Sequence, residues 1–384
     1  MEAVRGGATQ RAVARRFRVP VSTIQLWLKR ADGQSLDDVD WNGRPSIPGR
    51  TTRVSGRTEE RVLRARRYLR DRSALGECGA MAIRSYLVER FGEAPSVRTI
   101  GRILERRGAL DGAARVRRPP PRPGWHLPDV AAGEVELDSF DSVMGLVIEA
   151  GPELEVLNAV ALHSGLVASW VTTGLTARSA VGFLVEHWRE FGLPHYAQFD
   201  NDTRFQGAHQ YPDSFGRVTR LCLGLGVVPV FAPPREHGFQ NAVESYNGRW
   251  QAKVWARFHH RSLSSLQQRS AAYVAAHRQR TAARIEGAPL RRPFPVRFTF
   301  ELQSSLRGRV VFIRRTNDNG AVELLGHQFT TSRHWPHRLV RAEVDLDAQA
   351  IHFHALRRRD PEDQPLLRTV KYQPPARRFR DRHG

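Results

Sequence analysis

Tyr196-Ala-Gln-Phe-Asp200-Asn201 is an apolar run that stops on a carboxylate, with a turn-forming Asn next. It reads as a β-strand ending in a turn. A second such run, Glu134-Val-Glu-Leu-Asp138-Ser-Phe140, also carries an acid near its end. A third acid, Glu244, lies in the helix-like Gly238-Phe-Gln-Asn241-Ala-Val-Glu244-Ser-Tyr-Asn247. A carboxylate among apolar residues is costly unless a cation meets it. The three acids are too far apart in sequence for a local metal loop, so only a fold that joins two strand ends and a helix can gather them.

Working outward, residues 133–258 read as an α/β domain. Strands are expected at 134–140, 154–162 and 166–172, a helix at about 176–191, a strand ending at Asp200, a strand at 227–231 and a long helix at about 240–258. This pattern predicts a mixed sheet with helical cover. The Pro- and Arg-rich stretch 112–130 marks the boundary before it.

Upstream, residues 8–30 read as two short helices in helix-turn-helix spacing. Thr9 is the expected cap, Val13, Ala14 and Phe17 the first apolar face, and Ser22, Ile24, Trp27 and Leu28 outline the second helix. Gln25, Lys29 and Arg30 are left to face DNA. Helices are also expected at 58–71, 80–91 and 96–107, the last capped by Ser96. There Val97, Ile100, Ile103 and Leu104 form a stripe and Arg98 and Arg102 lie off it, as on a second recognition helix. Downstream, 259–288 reads as polar helix. From about 296 the pattern turns to β, and a small barrel is expected. The layout is therefore multidomain: helix-turn-helix 1–34, basic linker 35–57, second helical unit 58–111, Pro/Arg linker 112–130, α/β core 131–258, helical connector 259–295, small β-barrel 296–368 and basic tail 369–384.

The chain has 384 residues and a formal net charge of +21, from 60 Lys and Arg against 39 Asp and Glu. Arginine dominates the basic set, which suits phosphate recognition. Such an excess points to nucleic acid as partner. The two cysteines, Cys78 and Cys222, stand far apart and form no zinc or disulfide pattern. No apolar run is long enough for a membrane helix and no signal core opens the chain, so a soluble cytoplasmic protein is expected.

Hard carboxylate oxygens suit Mg²⁺ or Mn²⁺. Two such ions about 4 Å apart can clamp the attacking and leaving oxygens of a phosphodiester. The expected metal ligands and catalytic residues are Asp138, Asp200 and Glu244, with Asp200 the natural shared ligand. Asp141 rivals Asp138, which is favoured for continuing the strand; Asp202 is a weaker rival of Asp200. Asn241 and Asn247 flank Glu244 by one helical turn and are expected to bond the carboxylate or DNA. His163, His237, His259 and His260 read as surface or DNA-contacting residues rather than metal ligands.

These motifs resemble those of insertion-sequence transposases with an integrase catalytic core, in the DDE transposase and retroviral integrase superfamily. Phe199-Asp200-Asn201-Asp202-Thr203-Arg204-Phe205 is similar to the second-acid segment of that family. Pro233-Pro234-Arg235 followed by Gly238 to Asn247 is similar to its third, and Leu137-Asp138-Ser139-Phe140 loosely to its first. The resemblance implies a ribonuclease-H-like core and metal-dependent cleavage at element ends, then strand transfer into target DNA. It implies double-stranded DNA as partner, a homo-oligomer holding two ends, and a place with the bacterial nucleoid; an accessory ATPase stays open. Alternatives are an inactive, repurposed transposase that regulates through sequence-specific DNA binding, and a structure-specific nuclease. The chain departs from the pattern with Asp202 where a Gly is usual, with an apparent insertion from Gln206 to Arg217, and with Gly248 and Gln251 at helical positions that are often basic. Arg249 and Lys253 lie nearby and are expected to contact DNA.

Overall fold

The computed structural model describes residues 1–39, 41, 54–73, 77–110, 124–148, 151–208, 210–234, 236, 238–358, 361–375 and 379. They fall into two compact units, 1–64 and 65–384. In the first, α1 (Glu2–Arg5), α2 (Gln10–Phe17) and α3 (Val21–Arg30) enclose Val13, Ala14 and Ile24. Thr9 caps α2, its hydroxyl accepting from the Ala12 amide at 3.3 Å. The chain turns at Arg18, in the left-handed region at φ 53°, before Pro20 leads into α3. Phe17, expected on the apolar face, is exposed; it ends α2, beyond that small core. Gln25 and Lys29 are exposed on α3, and Arg30 is half-buried.

Helix α4 (Gly56–Arg72) runs across the division. In the second unit, α5 (Ala80–Phe91) and α6 (Val97–Arg106) bury Ile83, Leu87, Ile100, Ile103 and Leu104. Ser96 caps α6 by accepting from the Thr99 amide at 3.2 Å. Val97, expected in the stripe, opens the helix and is exposed. Arg98 and Arg102 project to solvent one turn apart. Much of the expected linkers over 35–57 and 112–130, and most of the tail beyond 375, lies outside the described residues.

Helix α7 (Pro128–Ala132) precedes the antiparallel meander β1 (Leu137–Val147), β2 (Glu153–Ala161) and β3 (Val167–Thr172). Helix α8 (Ala177–Phe191) leads to β4 (Tyr196–Phe199); α9 (Thr203–Gln206) and α10 (Arg217–Gly224) lead to β5 (Val228–Phe231). Helix α11 (Asn241–Trp250) passes into π-helix over Gln251–Trp255, then α12 (Leu263–Arg280) and α13 (Ala282–Glu286). The remaining strands are β6 (Arg309–Arg315), β7 (Ala321–Leu324), β8 (His327–Thr330), β9 (Leu339–Asp345), β10 (Ala350–Leu356) and β11 (Leu366–Lys371). Among the described residues, nine strands form one mixed sheet in the order β11-β10-β9-β6-β5-β4-β1-β2-β3. Strands β1, β4, β5 and β6 run parallel.

The period of two sorts side chains between the faces. Phe140, Leu157, Ala159 and Ala168 share one core with Ala180, Leu184 and Trp188 of α8 and Val218, Leu221 and Cys222 of α10. On the other face Val143, Val156 and Val160 share a core with Val243, Tyr246 and Trp250 of α11 and with Leu266, Tyr273 and Val274 of α12. A file of phenylalanines crosses the first face, with Phe140 stacked on Phe199 at 5.2 Å and Phe231 on Phe312 at 5.1 Å. All four are fully buried, each worth about 1.5–3 kcal/mol by burial. The file fastens β6 to the strands that carry the acids.

Three expectations need correcting. Strand β1 does not stop at Phe140 but continues to Val147. The expected helical connector forms as α12, but it is not polar all round: it covers a sheet face through Leu266, Tyr273 and Val274. The small barrel is not closed: β6, β9, β10 and β11 extend the core sheet, and β7 pairs with β8 alone. The free edge of β5 accepts β6, and the two sets of strands share one apolar core. No helix among the described residues is long and apolar enough to cross a membrane.

Candidate active site

Register decides which acids meet. Ser139 of β1 lies level with Gln198 of β4, so two residues further Asp141 comes level with Asp200. Asp141, Ser139 and Leu137 point to one face of β1, and Asp138 and Phe140 to the other. Asp141 therefore faces α11 and Asp138 faces α8.

The Asp138 side chain is fully buried and already neutralised. The indole of Trp188 donates to it at 3.1 Å, Arg291 grips both its oxygens, one at 3.0 Å, and His187 stands 3.6 Å away. Burial pushes this carboxyl up, but Arg291 and His187 more than offset that and hold it well below the usual range. The expected meeting of Asp138 with Asp200 and Glu244 does not occur, because an odd separation on a strand turns it to the opposite face.

Asp141 has the reverse environment. Burial and the negative charges of Asp200 and Glu244 push its carboxyl up to about 6. The Asn247 amide donates to its Oδ2 at 2.7 Å, and the Ser142 backbone to its Oδ1 at 2.9 Å. Asn247 is fixed in turn by Asn158, which donates to its Oδ1 at 2.8 Å from the register position opposite Asp141. Asn247 is buried and bonded to Asp141, not to the Glu244 carboxylate it was expected to meet.

Asp200 follows β4 directly and is half-buried, which raises its pKa. Its Oδ1 accepts from the Asp202 amide at 3.1 Å. Asp202, its rival, is occupied elsewhere: it caps α9 at 2.8 Å and is gripped by Arg204, which also reaches Glu155 at 2.6 Å. Asn201 donates to the Ala232 carbonyl and accepts from Arg314 at 2.9 Å, tying the β4 and β5 ends to β6.

Glu244 lies in the first turn of α11, where the helix N-terminus favours negative charge, and it is exposed. The loop before it is pinned to the sheet. Gln240 donates to the Phe140 carbonyl at 3.1 Å and Gln198 to the Phe239 carbonyl at 3.2 Å. A cavity of about 400 Å³ opens here, lined by Asp200, Asn201, Pro233, Glu236, Gln240 and Glu244 among others. Among the described residues no group of three or more acid, histidine or cysteine side chains is placed to hold a metal ion. The charges of Asp200 and Glu244 both act on Asp141, and Asp200 and Glu244 line the open cavity.

The other expected residues distribute around this centre. Asn241 is half-buried at the first turn of α11, Arg249 is exposed with its Nε on the Ser245 carbonyl at 3.2 Å, and Lys253 is half-buried in the π-helix. His163 and His260 are bonded to the carbonyls of Val130 and Val254, and His259 is exposed; His237 lies outside the described residues. Sequence reasoning missed Asn158, Gln198, Gln240 and Arg314. One signal for Asp141 was present: Phe140-Asp141 repeats the dipeptide Phe199-Asp200.

No family model and no curated protein matches the chain. Among solved structures, it is similar to a simian T-cell lymphotropic virus intasome in complex with a PP2A regulatory subunit, B56 gamma. That match has 15% identity and a TM-score of 0.33, and covers 72% of this chain and 88% of that one. It is also similar to the catalytic core of BIV integrase, at 18% identity and TM-score 0.27, covering 37% of this chain and 81% of that core. The HTLV-2 integrase core in complex with magnesium matches at 14% identity and TM-score 0.27, over 37% and 83%. Overlap this loose leaves the strand register and the charges above as the grounds for a functional reading.

Proposed function

We propose that the protein is a DNA transposase or integrase, a metal-dependent polynucleotidyl transferase that cuts at the ends of a mobile element and joins the freed 3′-hydroxyl to target DNA. The observation that carries this reading is the register of β1 on β4, which brings Asp141 level with Asp200 at the C-terminal end of β4, with the charges of Asp200 and Glu244 both acting on Asp141. Asp141 takes the metal-ligand role expected of Asp138.

Magnesium or manganese fits the donors. All are hard oxygens; burial first, and then the like charges of Asp200 and Glu244, push Asp141 up to about 6, and the charge part is what a divalent cation relieves. Bound there, two such ions would stabilise the charge that develops on attacking and leaving oxygens. The chain's own contribution is positioning. Asn158 and Asn247 fix the Asp141 carboxylate, Gln198 and Gln240 fix the loop before Glu244, and Asn201 with Arg314 locks the turn after Asp200. A DNA strand would enter the cavity lined by Asp200 and Glu244. Gln25, Lys29, Arg30, Arg98, Arg102, Asn241, Arg249 and Lys253 are the proposed DNA contacts, supported by the charge of +21. Holding two element ends calls for more than one copy on DNA.

The test uses purified protein, Mg²⁺ and labelled DNA carrying the repeats that flank the gene. Asp141→Asn should abolish nicking and joining while DNA binding persists. Joining that survives in Asp141→Asn would contradict the assignment, and binding without any nicking by the natural protein would favour a regulator.

A further inference from the structure

The sheet extension brings arginines to the edge where the acids stand. Strand β10 runs parallel to β6, since both are antiparallel to β9, and β6 is parallel to β5, β4 and β1. Residues at the C-terminal ends of β6 and β10 therefore share an edge with Asp141 and Asp200. Arg315 ends β6, and Arg358 follows β10 by two residues. Both reach Glu236: Arg315 Nε lies 2.5 Å from Oε1, and Arg358 Nη2 lies 3.2 Å from Oε2. Glu236 lines the same cavity as Asp200 and Glu244. Arg358 is steadied over the rings of Phe239 at 5.2 Å and Trp125 at 6.0 Å, and Arg315 also donates to the His337 carbonyl. Each arginine side chain is about half exposed, at 48% and 53%, whereas that of Glu236 is 16% exposed.

Two guanidiniums thus converge on the one carboxylate of Glu236. An arginine fork grips carboxylate and phosphate through the same pair of oxygens. Half-exposed pairs of this kind are weakly held and exchange readily. We infer that Arg315 and Arg358 form a fork for a DNA backbone phosphate beside the acids, and that Glu236 fills it until DNA arrives; this presupposes the DNA-processing function proposed above. Glu236 then keeps the fork in shape and lowers its affinity for other anions.

The test is fluorescence anisotropy of the full chain with a labelled DNA duplex, without divalent metal, over a series of KCl concentrations. Arg315→Ala and Arg358→Ala should each lower the slope of log affinity against log salt by about 0.9 and weaken binding about three- to tenfold. Arg315→Lys and Arg358→Lys keep the charge and should keep the slope, which separates a phosphate contact from a folding defect. Glu236→Gln should tighten binding about threefold or more, because the fork is no longer neutralised. Unchanged slopes in both alanine variants, or weaker binding in Glu236→Gln, would overturn the fork. Were the natural protein itself to bind no DNA, the DNA-processing function would fall along with it; normal binding with indifferent variants removes the fork alone.

Discussion

Asp138 and Asp141 stand three residues apart on β1, and the two faces of the sheet treat them oppositely. Under α8, Asp138 is sealed from water and held by Arg291, His187 and Trp188. Under α11, Asp141 is half-buried beside two further carboxylates, with two amides to steady it. The first carboxylate is matched by charge within the protein. The second is left with an unbalanced negative field beside the end of β4, and perturbed carboxylates of this kind cluster at functional sites. The lesson is that charge compensation, more than the presence of an acid, separates a structural carboxylate from a functional one.

The largest expected effect lies on the open face. Asp141→Asn or Asp200→Asn should cut metal-dependent strand joining by about a thousandfold or more, about 4 kcal/mol of barrier, with the melting temperature nearly unchanged. Asp138→Asn should do the reverse. It strands Arg291 without its counter-charge and should cost about 3–5 kcal/mol of stability by urea denaturation. Joining per folded molecule should persist. Equal loss of joining in both variants would erase the contrast. Asn247→Ala should reduce joining about 10–100-fold by freeing the Asp141 carboxylate, without altering salt dependence of DNA binding. A change in that dependence would return Asn247 to the DNA interface.

Acid titration gives the smallest effect, and its sign differs between the faces. Asp138 has a lowered pKa in the folded state, so its stabilisation is present above the unfolded value of about 3.9 and lost as pH falls below it. Asp141 has a raised pKa of about 6, so ionising it costs stability progressively between pH about 4 and 6. A divalent cation should remove that cost. The thermal stabilisation produced by Mn²⁺ should therefore fade as pH drops below about 6, and Asp141→Asn should lose this dependence. A stabilisation that is flat from pH 5 to 8 would show that Asp141 does not share the ion.

Much of the fold was legible in local pattern. Apolar alternation located the strands of the meander and β4 and β5, and the caps Thr9 and Ser96 placed α2 and α6. Asp200 was legible because it ends a strand-like run, and Glu244 because it lies among apolar residues in a helix-like run. Asp141 was ranked behind Asp138 from one boundary: ending β1 at Phe140 left Asp141 outside the strand, whereas the strand runs on to Val147. The extension through β6 could not be read because strand pairing is non-local; alternation shows that Val310 to Ile313 form a strand but not that β5 is its partner. The buried amides Asn158 and Asn247 carry no sequence signal of their own, since their roles exist only once β2 and α11 meet β1.

The most direct measurement is anomalous X-ray diffraction from crystals of the protein soaked in Mn²⁺. The predicted result is a manganese peak between the carboxylates of Asp141 and Asp200, with Glu244 turned toward it and Asp138 still paired to Arg291. A manganese ion bound at Asp138 with Arg291 displaced, or a well-occupied ion elsewhere and none at Asp141, would contradict the account.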